Sequence, residues 1–180
     1  MIVGRACYAH MVAILHNIRS AHNVGSMFRT ADAAGISQLY LCGITPAPWP
    51  VGSTGARPSD MLGSARKSLE KTALGAEKTV PWKKCARGMD CIRRLRRDGY
   101  YICAVEIARG AVPYYDADVL KKKTRKLAFV VGNEVAGLPK SLLDTCDAIV
   151  CIPLHGKKES LNVAVAFGII AFEIAKNTLR

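Results

Sequence analysis

Hydrophobic positions along the chain fall into short runs divided by polar and glycine-containing turns, and the periods alternate between strand-like and helix-like. Residues 12–15 form an apolar run that predicts a first strand, and residues 16–25 form a polar loop with a glycine. A helix is expected from near Asn23, because Met27, Ala31, Ala34 and Ile36 recur on one side and Gly35 stands where a helix would end. Residues 38–42 predict a second strand, giving a β-α-β opening whose loops gather at the C-terminal ends of the strands. Residues 43–63, rich in Pro, Gly and Ser, read as a long irregular loop of the kind that often carries function. Residues 64–74 have helical composition, residues 75–82 read as extended, and residues 85–98 form a basic helix ended by Gly99.

The second half repeats the alternation. Residues 100–105 predict a third strand, and residues 127–131 are a continuous apolar run, the pattern of a central parallel strand covered on both faces. That run stops at the turn of residues 132–139; a short helix over 139–144 and a last strand over 148–152 follow. From Leu161 to Ala175 only Asn162, Gly168 and Glu173 interrupt the hydrophobic residues, so a helix here has no wet face and is expected to be buried. Asn162 at its mouth must then find partners for its carboxamide in the protein or in a ligand. These elements add up to an α/β domain with a five- or six-stranded, mostly parallel sheet.

Composition narrows the classes. The 180 residues suit a single domain, half of them are hydrophobic, and no stretch reaches the length of apolar residues that a membrane span requires. The first ten residues carry no long apolar segment of a secretory signal, so a cytoplasmic protein with no membrane partner is expected. Seven cysteines without a C-x-x-C pair disfavour a disulfide framework and a metal site, so no metal is expected. The net charge of +12 is concentrated: residues 57–97 hold twelve Lys or Arg against four acidic residues, a net of +8. An excess so placed points to a polyanion, since neutralised phosphates release counterions.

Three loops at strand ends carry the candidate chemistry. They are Asn23-Val-Gly-Ser-Met-Phe-Arg29-Thr30, Gly132-Asn-Glu134-Val-Ala-Gly137-Leu-Pro139, and Ile152-Pro-Leu-His-Gly156 with Ser160-Leu-Asn162-Val. Together and in this order they closely resemble the signature motifs of the SpoU (TrmH-like) family of RNA ribose methyltransferases, within the SPOUT superfamily. The resemblance runs from about Val12 to the C-terminus. It implies S-adenosylmethionine as cofactor, bent inside a deep trefoil knot threaded by the C-terminal segment. It also implies a homodimer whose RNA site is built across the subunit interface. Many relatives carry a separate N-terminal RNA-binding domain; here about eleven residues precede the first strand, and a single domain spanning 1–180 is expected to find its RNA alone.

The residues make physical sense in the implied roles. Gly132, Gly137 and Gly156 let backbone approach the cofactor without side chains in the way, with Asn133 beside them. Ile152, Leu154 and Leu161 supply apolar walls for an adenine. By resemblance Arg29 is the catalytic arginine, reaching the ribose hydroxyl and the adjacent phosphate from the partner subunit. A guanidinium is always protonated, so it suits charge-assisted contact with a phosphate or a developing alkoxide better than proton abstraction. Asn23, Glu134 and Asn162 support it, and Ser160 orients the loop or touches the substrate phosphate. Glu134 balances the sulfonium charge or holds Arg29 or Asn23, and the sequence leaves both open.

The basic segment supplies Arg66, Lys67, Lys71, Lys78, Lys83 and Lys84 as RNA contacts, and Lys157 and Lys158 add charge beside the third motif. The resemblance implies a structured tRNA or rRNA as substrate. An inactive RNA-binding protein of the same fold and an RNA base methyltransferase of the wider superfamily are the alternatives. A mononucleotide- or dinucleotide-binding enzyme is disfavoured: neither G-x-G-x-x-G after the first strand nor G-x-x-x-x-G-K-[ST] occurs.

Overall fold

A computed structural model describes residues 8–48, 60–121 and 126–178. Seven strands form one sheet in the order β3-β2-β1-β6-β4-β7-β5, and every pairing is parallel. The strands are β1 (Tyr8–His16), β2 (Ile36–Cys42), β3 (Trp82–Cys85), β4 (Tyr101–Val105), β5 (Val112–Pro113), β6 (Leu127–Val131) and β7 (Ala148–Cys151). The helices are α1 (Ala21–Ala34), α2 (Asp60–Ala73), α3 (Ala76–Thr79), α4 (Gly88–Arg97), α5 (Asp118–Lys121), α6 (Lys140–Leu143) and α7 (Val163–Thr178). The expected count of five or six strands is corrected to seven. The two additions are edge pieces: β3, whose Lys83 and Lys84 are exposed, and the two-residue β5. Neither carries the apolar run that marks a strand inside a sheet.

The unbroken apolar run of β6 sits between β1 and β4 with all five residues buried. In β1 the strand period of two sorts side chains between layers. Met11, Ala13 and Leu15 face the core shared with α1 and α7, whereas Val12 and Ile14 face α4 through Cys91, Ile92 and Leu95. Helix α1 packs Val24, Met27, Phe28 and Ala31 into the first core at full burial, and Phe129 of β6 meets Phe167 of α7 with ring centroids 5.1 Å apart. Each fully buried Phe or Leu of this kind contributes about 1.5–3 kcal/mol.

Local signals set the helix ends. Helix α1 starts two residues before the expected Asn23, because the Ser20 hydroxyl accepts the Asn23 N–H as an N-cap, and it ends at Gly35 with φ 72°. Residues 75–82, expected to be extended, hold the four-residue α3 before β3 begins. Most of the long loop expected over 43–63 lies outside the described residues, and α2 already begins at Asp60. Helix α7 begins at Val163 rather than at Leu161, and it is not buried all round: Val165 is 52% and Phe172 51% exposed in the single chain. No helix among the described residues is long and apolar enough to cross a membrane.

Candidate active site

Parallel strands present their C-terminal ends to one edge of the sheet, and ligand sites in open α/β sheets form there. At the ends of β4, β6 and β7 lies a cleft enclosing about 750 Å³, its open mouth included. Val105, Glu106 and Ile107 line it from the β4 end, residues 131–135 and Gly137 from the β6 end, and Ile152, Leu154, Ser160 and Leu161 from the segment after β7. Val163 and Ala166 of α7 close the remaining side.

The loop after β6 is folded by its own side chains. The Asn133 Oδ1 accepts the N–H groups of Val135 and Ala136, each at 2.9 Å, while its Nδ2 donates to the Asn17 carbonyl at 2.9 Å. The turn closes on itself so tightly that a Cβ on Gly132 would lie 2.6 Å from the Gly137 carbonyl carbon and 2.7 Å from the Leu138 nitrogen. Gly137 has φ 63°, which a side chain rarely adopts, and a Cβ there would meet Glu106 Oε2 at 2.6 Å. Close approach of backbone therefore requires glycine at 132, and the left-handed conformation favours it at 137. Gly156 is different: nothing in the protein lies within 4 Å of a Cβ built there, and it does not line the cleft.

Glu134 links the three motifs. Its Oε2 accepts the Arg19 N–H at 2.9 Å, and its Oε1 accepts the Ser20 N–H at 3.1 Å and the Asn23 side-chain amide at 3.0 Å. Asn23 in turn accepts the Asn162 amide at 3.2 Å, and Asn162 Oδ1 accepts the N–H groups of Ala164 and Val165 at the start of α7. Residues 111 and 139 positions apart are thus joined in one relay, with Asn162 capping α7. Burial opposes ionisation of Glu134, but the donations from Arg19, from Asn23, from its own N–H and from Ser20 outweigh it and hold the carboxyl below the ordinary carboxylate range. Of the contacts expected for Glu134, the one to Asn23 is present, and Glu134 also lines the cleft.

Glu106 was not singled out by sequence. Its Oε2 accepts the Leu138 N–H at 2.8 Å and its Oε1 the Ile107 N–H at 3.0 Å, which pins the β6 turn against the end of β4. The available signal was its place immediately after an apolar strand run. Arg29, by contrast, does not line the cleft: its side chain is exposed on α1, the helix that packs against α7, and among the described residues no hydrogen bond or ion pair holds it.

Two of the basic candidates are engaged within the chain. Arg66 pairs with Glu70 at 2.7 Å. The Lys84 ammonium donates to the carbonyls of Gly43 and Thr45, clasping the loop after β2, and although the residue as a whole is exposed, desolvation at this end lowers its pKa. Lys67, Lys71, Lys78, Lys83, Lys157 and Lys158 are exposed.

The family model described as the SpoU rRNA Methylase family matches residues 58–172. The chain belongs to the SpoU rRNA methylase family. Relatives of this SpoU protein include the 23S rRNA (guanosine-2'-O-)-methyltransferase RlmB of Vibrio vulnificus, 30% identical over 94% of this chain and 60% of that protein. Among solved structures, an AdoMet-bound rRNA methyltransferase from Sinorhizobium meliloti superposes with a TM-score of 0.76 at 30% identity, covering 96% of this chain and 58% of that one. A structure described as giving insight into the 2-OH methylation of C/U34 on tRNA superposes with a TM-score of 0.67 at 27% identity, covering 94% of this chain and 97% of that one. The SpoU chain spans about 60% of the length of the curated relatives it matches first.

Proposed function

We propose that this protein is an S-adenosylmethionine-dependent methyltransferase that modifies a ribose 2'-hydroxyl in structured RNA. The observation that carries this reading is the Glu134–Asn23–Asn162 relay, which ties the first motif to the two that border the cleft. The residues present fit the cofactor. The Gly132–Leu138 turn leaves backbone bare at the cleft wall, and Ile152, Leu154 and Leu161 provide apolar surface for an aromatic base. When bound, S-adenosylmethionine supplies an electrophilic methyl group on a sulfonium.

The chain's own residues orient and stabilise. The β6 turn and the segment after β7 hold the donor; Ser160, exposed at the rim, meets the incoming phosphate. Arg29 anchors the phosphate and stabilises the oxyanion that develops on the ribose as the hydroxyl proton passes to solvent. Such electrostatic preorganisation is worth about 2.7–4 kcal/mol per donor in comparable sites. Because Arg29 is absent from its own chain's cleft, it serves the cleft of a second copy. A homodimer packed on the apolar flank of α7, where Val165 and Phe172 are half exposed, accommodates that arrangement. The knotted threading of the C-terminal segment belongs to the same reading, supported by the insertion of β4 between β6 and β7 and by the loops of β6 and β7 bounding one cleft.

Of the RNAs on which relatives act, tRNA is favoured, because the neighbour described for C/U34 of tRNA is matched over nearly its whole length. The exposed lysines Lys67, Lys71, Lys78, Lys83, Lys157 and Lys158 meet phosphate, and a cytoplasmic location follows from such a substrate. The test is Arg29→Ala. Calorimetry should find cofactor affinity within about twofold of wild type, while tritium transfer to tRNA falls by roughly 10²–10³. Loss of cofactor binding in the folded variant, or transfer at the wild-type rate, overturns the assignment.

A further inference from the structure

Outside the cleft, three sulfurs from three elements converge on the opposite face of the sheet. Cys42 is the last residue of β2, Cys85 is the last residue of β3 and its parallel partner in register, and Cys91 lies in the first turns of α4. Their Sγ atoms all lie within 4.8 Å of one another. Cys42 and Cys91 are buried, and Cys85 is half-buried, so an ion has a path from solvent. The Arg94 guanidinium sits 3.7 Å from the Cys85 sulfur and 5.3 Å from the centroid of the Tyr40 ring. No His or carboxylate joins the group among the described residues.

We propose that Cys42, Cys85 and Cys91 form a thiolate site for a divalent thiophilic d10 cation, zinc above all, with the fourth position open to water. Soft thiolates select such ions, and a three-ligand zinc site with one exchangeable position is an established coordination type. Zinc–sulfur bonds of about 2.3 Å require sulfurs about 3.8 Å apart, so the three thiols need contract by only about an ångström or less through χ1 adjustment. On binding, three S–H bonds break, three protons pass to solvent and three metal–sulfur bonds form, with no change of oxidation state. The product carries one net negative charge, which the fixed Arg94 cation offsets; a monovalent ion would leave two. Without an ion, contact with Cys42 and then burial push the Cys91 thiol up, and burial pushes Cys85 up, so these two stay neutral. The site ties edge strand β3 to β2 and α4, and metal affinity thereby becomes stability of that edge. A scan for C-x-x-C misses it, because register across a parallel pair, not spacing along the chain, brings Cys42 to Cys85.

The test uses the full reduced chain, stripped with chelator and titrated with Zn²⁺, then with Co²⁺ as a spectroscopic probe. Native mass spectrometry should find one zinc per chain, the cobalt form should show intense sulfur-to-metal charge transfer, and zinc should raise the melting temperature. Cys85→Ser, at the half-buried position, should weaken zinc by more than the roughly 10–100-fold that loss of an outer-sphere partner costs. Cys91→Ala should act likewise, Arg94→Gln should weaken zinc more mildly, and Cys103→Ala should leave stoichiometry unchanged. Absence of stoichiometric zinc in the wild type, cobalt spectra without sulfur charge transfer, or equal binding by Cys85→Ser and wild type would each overturn the proposal.

Discussion

Replacing Glu134 by glutamine probes the relay that joins the motifs. Besides its own N–H, the carboxylate accepts the two backbone N–H groups of Arg19 and Ser20 leading into α1 and the Asn23 amide, at 2.9 to 3.1 Å. A glutamine keeps one acceptor oxygen and turns an NH₂ toward a donor, so at least one N–H loses its partner. Hydrogen bonds to a charged group are worth about 1.5–3 kcal/mol each, but Glu134 is only half-buried and water can replace part of the loss. A total cost of about 2 kcal/mol is expected, or a melting temperature lower by about 4–8 °C at this chain length. The pH dependence gives a second readout. Because the folded carboxyl titrates below its ordinary value, its contribution is complete above the unfolded pKa of about 4.3 and fades as pH falls through the lower folded value. Urea unfolding of wild type and Glu134→Gln should therefore differ at pH 7 and converge in acid. Equal stability at pH 7, or a difference that grows toward low pH, would refute the reasoning.

Asn162→Ala removes the cap of α7 and should cost about 1 kcal/mol by chemical denaturation, with a larger fractional loss of cofactor affinity because Asn23 is released as well. Gly132→Ala places a methyl against the Gly137–Leu138 backbone and should abolish cofactor binding by calorimetry while a folded sheet persists by circular dichroism. Phe172→Arg charges the exposed flank of α7 and should convert a dimer to a monomer by light scattering. His16 resists protonation because of burial, and among the described residues its Nδ1 has no partner. The unfolded chain takes up that proton first, so stability should fall as pH drops below about 6.5, and His16→Asn should flatten that slope.

Much of this was legible in the sequence for physical reasons. A run with no polar residue, as in β6, has one stable place, the middle of a covered sheet, and Gly35 announced a helix end that only a left-handed residue makes cheaply. The polar residues of the three motifs also declared themselves, since Asn23, Glu134 and Asn162 interrupt or border apolar segments where each needs a partner. What was lost depended on pairing across the chain. Strand β3 is a lysine-bearing edge and β5 only two residues, so neither has a period of its own. Glu106 is one acid after a strand until its contact with Leu138 is seen, and Lys84 looks like any surface cation until its two carbonyls are found. The apolar side of α7 was read as buried because hydrophobicity alone does not distinguish a core face from an exposed one.

The central claim is that the cleft at the ends of β4, β6 and β7 delivers a methyl group to a ribose oxygen. Purified chain incubated with isotopically labelled S-adenosylmethionine and unmodified tRNA, followed by digestion to nucleosides and mass spectrometry, tests it directly. The label is predicted on the ribose of a 2'-O-methyl nucleoside, lost in Arg29→Ala. Label on a base, or folded protein that binds the cofactor and transfers nothing to tRNA or rRNA, would contradict it.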